Sequence, residues 1–99
     1  DAFLEDVNRK AGLMRQKLEG LVASHPDVFE SVRGSGLMLG LKCKATNSDV
    51  VSAGYRHEVI TVPAADNVIR LLPPLNITDE DIAEAVSRLD QAASSLAAS

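Results

Sequence analysis

The chain has 99 residues, a formal net charge of −4, 45% hydrophobic and only 3% aromatic residues. That is room for one small domain with an aliphatic core. The balance of charge and hydrophobicity excludes disorder, and the longest uncharged run, nine residues from Gln91 to Ser99, is too short and polar to span a membrane. The excess acid sits in residues 76–99, where five acids face Arg88 alone. No basic stripe marks a nucleic-acid partner. One cysteine, Cys43, cannot form an internal disulfide, which fits a reducing compartment. The chain opens on Asp1, directly in a helical pattern, and reads as a piece of a longer polypeptide.

Residues 2–23 predict a long helix, with Phe3, Val7, Ala11, Met14, Leu18 and Leu21 as its apolar stripe. At 1.5 Å per residue it would run about 33 Å. His25-Pro26 ends it. Val28 to Val32 predicts a strand, Arg33-Gly34-Ser35-Gly36 a turn, and Leu37 to Cys43 a second strand. In that strand Leu37, Leu39, Leu41 and Cys43 share one face, with Gly40 and Lys42 on the other, where Lys44 follows. Gly40 inside a strand signals a bulge or a close backbone approach.

Thr46, Asn47 and Ser48 are all good N-caps for a helix running to about His57. Val59 to Val62 and Val68 to Leu72 predict two more strands, with Asp66-Asn67 as turn residues between them and Pro73-Pro74 as the stop. The last helix has the strongest start: Thr78 as N-cap, Asp81 at N3, and Ile77 and Ile82 placed as a hydrophobic staple. Ile82, Val86, Leu89, Ala93 and Leu96 form its buried face. The fold class is therefore α+β: a four-stranded sheet with three helices on one face. Met14, Leu18, Leu39, Leu41, Val86 and Leu89 are the expected core.

Most chemistry-bearing residues have a structural reading. Gly34-Ser35-Gly36 lacks the third glycine of a dinucleotide fingerprint, because position 39 is Leu39, and it enters a strand rather than a helix. Ser35 is no nucleophile elbow, since Arg33 stands where a glycine is required. Cys43, His25 and His57 match no zinc spacing; Cys43 reads as core and His25 as loop surface. Asp79, Glu80, Asp81 and Glu84 sit in a first helical turn, where they meet the positive end of the dipole. Arg70 is different. It lies in the apolar run Val68-Ile69-Arg70-Leu71-Leu72, on the face of Val68 and Leu72, opposite Ile69 and Leu71. Its planar fork suits a carboxylate, and the alternatives are a structural ion pair or a snorkelling surface side chain.

Two segments resemble the class III, pyridoxal-phosphate-dependent aminotransferases: Val32-Arg33-Gly34-Ser35-Gly36-Leu37-Met38-Leu39-Gly40-Leu41, and Asn67 through Leu72 to Thr78. The likeness runs along essentially the whole chain, and the second segment is most similar to members acting on N-acetylornithine. The resemblance implies the small C-terminal α+β domain of a fold type I enzyme, residues 1–99, in a cytoplasmic homodimer. The intact enzyme would transfer an amino group to 2-oxoglutarate, yielding glutamate. Ornithine- or succinylornithine-type donors, and a free-standing amino-acid-binding module, stand as alternatives. The resemblance implies that Arg70 binds the substrate α-carboxylate, one arginine serving both half-reactions. It also places the lysine that binds pyridoxal phosphate, the partner of the pyridinium nitrogen and the phosphate cup in a large domain not included here. None of Lys10, Lys17, Lys42 and Lys44 lies in a matching motif, so no catalytic, cofactor-binding or metal-binding residue is expected in this segment, and alone it should be inactive. His57-Glu58 and Ala64-Ala65 stand where relatives often carry glycine.

Overall fold

The computed structural model describes residues 2–35, 38–59, 61–71 and 77–98. Its order is α1 (Ala2–Ser24), β1 (Phe29–Ser35), β2 (Met38–Cys43), α2 (Asn47–Arg56), β3 (Val62–Ala64), β4 (Val68–Arg70) and α3 (Asp79–Ala98). The strands form one antiparallel sheet in the order β1-β2-β4-β3. Met14, Leu18 and Leu21 of α1, Val50 of α2, and Ile82, Leu89 and Ala93 of α3 share a single core with Phe29, Leu39, Leu41, Cys43 and Ile69 of the sheet. All three helices therefore cover one sheet face, as the fold class anticipated.

The α1 stripe is buried only in its second half. Phe3 is 58% exposed, and Val7 and Ala11 are half-buried. A period of 3.6 tells which side of a helix is apolar, but not where its covering layer ends. Val86 is likewise only half-buried at the edge of the core. His25 is not loop surface. Its ring meets Phe29 edge-on at 6.5 Å, and Nε2 lies 2.6 Å from Asp90 of α3.

Three local structures set the sheet. First, the β1–β2 hairpin reaches beyond its predicted end, because Arg33 and Gly34 pair with Gly40 and Leu39 instead of turning. The ladder irregularity lies in β1, between Phe29 and Ser31. Gly40 marks a close approach: a Cβ there would stand 2.7 Å from the Ile69 carbonyl oxygen. Second, the strand expected at Val59 to Val62 begins only at Val62. Val59 is committed to ending α2: its N–H donates to the Gly54 carbonyl (2.9 Å), and the Glu58 N–H donates to that of Tyr55 (3.1 Å). This is a Schellman cap, with Glu58 at φ 64° in the position that favours glycine. Pro63 then sits in an edge strand, where its missing donor is tolerated.

Third, the start of α2 is capped from a distance. Thr46 makes no side-chain cap bond. Instead the Asn67 side-chain oxygen accepts the Asn47 N–H at 2.8 Å, while its amide donates to the Cys43 and Ala45 carbonyls, both at 2.8 Å. Asp66 and Asn67 both have left-handed φ, which Asp and Asn tolerate in a turn. By contrast α3 starts as expected. The Asp81 N–H donates to Thr78 Oγ1 (3.0 Å), the Thr78 N–H donates to Asp81 (3.2 Å), and Ile77 and Ile82 are buried. Arg9 of α1 also takes both carboxylate oxygens of Asp79, at 3.0 and 3.1 Å. Leu37, Ile60 and residues 72–76, including the Pro73-Pro74 stop, lie outside the described residues.

Candidate functional site

Strand alternation divides the sheet residues. Leu41 and Ile69, paired across β2 and β4, are fully buried under the helices. Their neighbours point to the open face. There the register lays Arg33, Gly40, Arg70 and Val62 in one row across all four strands, and Ser31, Lys42, Val68 and Ala64 in the next. Arg70 is thus on the face away from the helices, beside half-buried Val68, as its position in β4 predicts. Gly40, between the two arginines, leaves the floor of the row bare.

A concavity of about 270 Å³ forms over this surface, lined by Arg33, Gly40, Ala64, Asp66, Val68 and Arg70 among others. Its charges are unequal. Asp66 pairs with two cations. Lys42 Nζ lies 2.9 Å from the Asp66 carboxylate and also donates to the Asp66 backbone carbonyl. Arg33 reaches the same carboxylate at 3.7 Å and donates to Ser31 Oγ at 3.3 Å. Lys42, by hydrogen bond and charge, holds the Asp66 carboxyl below the usual carboxylate range. Arg70 forms no ion pair and no side-chain hydrogen bond with another described residue. Among the described residues, then, no ion pair occupies it. A guanidinium in a concavity, beside a neutral floor, offers two parallel donors to a carboxylate.

The other candidates are structural. Cys43 is buried, and desolvation pushes its thiol up to about 11, away from nucleophilic use. His57 is the C-cap of α2. Asp79 and Asp81 are spent on Arg9 and the capping box. Among the described residues no three His, Cys, Asp or Glu side chains gather to hold a metal. Nor is any helix long and apolar enough to cross a membrane. Sequence reasoning missed Arg33, Lys42 and Asp66 as neighbours of Arg70. Alternation placed Lys42 on the open face, but the pairing that brings the Asp66 turn over it is set by register between distant strands.

A family model, aminotransferase class III, matches residues 1–93. The chain belongs to the class III aminotransferases. It is 65% identical over 94 residues to the acetylornithine aminotransferase of Rhodobacter capsulatus, covering 95% of this chain and 24% of that protein. The acetylornithine aminotransferase of Mesorhizobium japonicum is 54% identical over 97 residues, covering 98% and 24%. In structure the chain is similar to N-acetylornithine aminotransferase from Stenotrophomonas maltophilia, with a TM-score of 0.88 and 30% identity, over 98% of this chain and 28% of that one. The chain thus spans about a quarter of the length of the relatives it matches.

The family implies pyridoxal phosphate. The residues of this class III segment do not fit that group. Lys10 is paired with Asp6 and Lys42 with Asp66. Lys17 lines a shallow groove between α1 and α3. Lys44 is exposed beyond the end of β2. None stands in a cavity beside an anion cradle. What the segment presents instead is the concavity lined by Arg33 and Arg70 on the open sheet face.

Proposed function

We propose that these 99 residues are the C-terminal small domain of a pyridoxal-phosphate-dependent acetylornithine aminotransferase. On this reading the intact enzyme is a cytoplasmic homodimer. It moves the 5-amino group of N-acetylornithine to 2-oxoglutarate, giving N-acetylglutamate semialdehyde and glutamate, a step of arginine biosynthesis. N-acetylornithine is preferred to ornithine or succinylornithine because the relatives at 65% and 54% identity carry that name. The cofactor, bound by the remainder of the protein, would supply the amino-group chemistry. This segment alone would be inactive.

The observation that carries the role of Arg70 is its guanidinium, which lines the open-face concavity and has no ion-pair partner among the described residues. The donor's chemistry narrows the expectation that one arginine serves both half-reactions. In 2-oxoglutarate and glutamate the α-carboxylate is bonded to the reacting carbon. In N-acetylornithine three carbons separate them. A guanidinium fixed on a strand can hold a carboxylate adjacent to the reacting carbon for the first pair only. Arg70 therefore binds and orients the oxo acid and its amino-acid product.

Half-reaction kinetics of the full-length enzyme test this. Arg70→Ala should lower kcat/KM for 2-oxoglutarate by about 30- to 5,000-fold, the effect of roughly 2–5 kcal/mol for a lost charge-assisted pair. Arg70→Lys should fall between, keeping the charge without the fork. The half-reaction with N-acetylornithine should change by less than about tenfold, since the enzyme's contacts there are elsewhere. Equal losses in both half-reactions, or none, would overturn the assignment.

A further inference from the structure

Asp66 poses a problem for Arg70. It carries the carboxylate that lines the same concavity, and a bidentate pair with it would occupy the fork that a substrate needs. Two cations hold it elsewhere, and they are unequal. Arg33 is half exposed and its contact is long, 3.7 Å. Lys42 is 18% exposed, lies at 2.9 Å, and bonds both the carboxylate and the backbone carbonyl of Asp66. Lys42 pairs with Val68 in the same β2–β4 ladder in which Gly40 pairs with Arg70, so the clamp and the arginine share one rigid surface. Without Lys42, Asp66 would be a well-exposed carboxylate with one loose partner and an open guanidinium across the concavity.

We infer that Lys42 is a positioning residue: it fastens Asp66 away from Arg70 and so keeps Arg70 open for the substrate carboxylate. This rests on the assignment of Arg70 above. The ligand class is the α-carboxylate of a 2-oxo acid or of its amino-acid product. Competition is internal, so a substrate would bind only the fraction of molecules whose Arg70 is free.

The test uses the full-length holoenzyme with 2-oxoglutarate and N-acetylornithine. Lys42→Gln should raise KM for 2-oxoglutarate by about tenfold or more, while kcat and KM for N-acetylornithine stay within about twofold. Adding Asp66→Asn to that variant should restore KM for 2-oxoglutarate to within about threefold of the starting value, because the competitor is gone. Lys44→Gln removes the same charge from an exposed neighbour that does not touch Asp66. It should change KM by less than about twofold at physiological salt, which separates the clamp from the general field. An unchanged KM in Lys42→Gln, or a double variant as impaired as the single one, would overturn the proposal. Asp66→Asn alone provides a second check should Lys42→Gln fail to fold: a KM raised about tenfold there would mean that Asp66 serves the substrate directly, and would also overturn it. If Arg70→Ala itself leaves the oxo-acid half-reaction intact, the functional reading fails first, and the two failures are told apart.

Discussion

The two faces of one sheet are built to opposite rules. Under the helices, Leu39, Leu41, Ile69 and Phe29 are at most 1% exposed and join one apolar core. On the open face, one residue along β2 and β4, stand Lys42 and Arg70, with Gly40 between Arg70 and Arg33 of β1, and Lys42 and Arg33 pair with Asp66. Because side chains alternate along β2 and β4, the same short strands carry both sets, and in β1 the irregularity between Phe29 and Ser31 shifts the phase, so core and open-face residues lie within a few positions of each other. Substitutions on the covered face should cost stability. Those on the open face should cost binding.

The largest stability effect should come from the helix layer. Leu89 is 1% exposed in the core of α3. Leu89→Ala should destabilise the domain by about 2–5 kcal/mol, measured by urea unfolding. A loss under about 1 kcal/mol would mean that the helices do not share a packed core with the sheet. Next is Asn67, which joins the end of β2, the start of α2 and the β3–β4 turn. Asn67→Ala strands those backbone groups and should cost about 1–3 kcal/mol in the same assay. That would sharpen the comparison, because Asn67 precedes β4 in the same motif as Arg70 and yet acts structurally.

A smaller effect has the opposite sign. Glu58→Gly relieves the left-handed backbone at the Schellman cap of α2. Its gain is tempered by one lost contact, the Arg88 pair with the Glu58 carboxylate at 3.6 Å, while the Arg88 hydrogen bond to the Glu58 carbonyl at 2.9 Å survives the change. We expect a net stabilisation of about 0.5–1 kcal/mol, read as a raised unfolding midpoint. A destabilisation would show that the ion pair outweighs the strain.

What could be read from the sequence was whatever local rules decide. The capping box of Thr78 and Asp81, the helix extents and the alternation that puts Arg70 opposite Ile69 depend on residues within a few positions of each other. What could not be read depends on distant pairing. Arg33 looks like a turn residue until β2 is placed beside it, whereupon its backbone joins the ladder opposite Gly40. Val59 has the composition of a strand but closes a helix. Asn47 is a plausible cap by type, yet its own N–H is capped by Asn67, twenty residues away. The candidate site follows the same division. Arg70 was identifiable by its misfit in an apolar strand and by resemblance. Lys42 and Asp66 become its neighbours only when the β3–β4 turn folds over β2.

The separation of the two faces is tested most directly by the stability of Arg70→Ala, measured by urea unfolding of the domain beside Leu89→Ala. Arg70 has no partner among the described side chains, so its truncation should shift the unfolding free energy by no more than about 0.5 kcal/mol. A loss of about 2 kcal/mol or more, in the range of a core truncation, would make Arg70 part of what holds the fold together and would contradict the account.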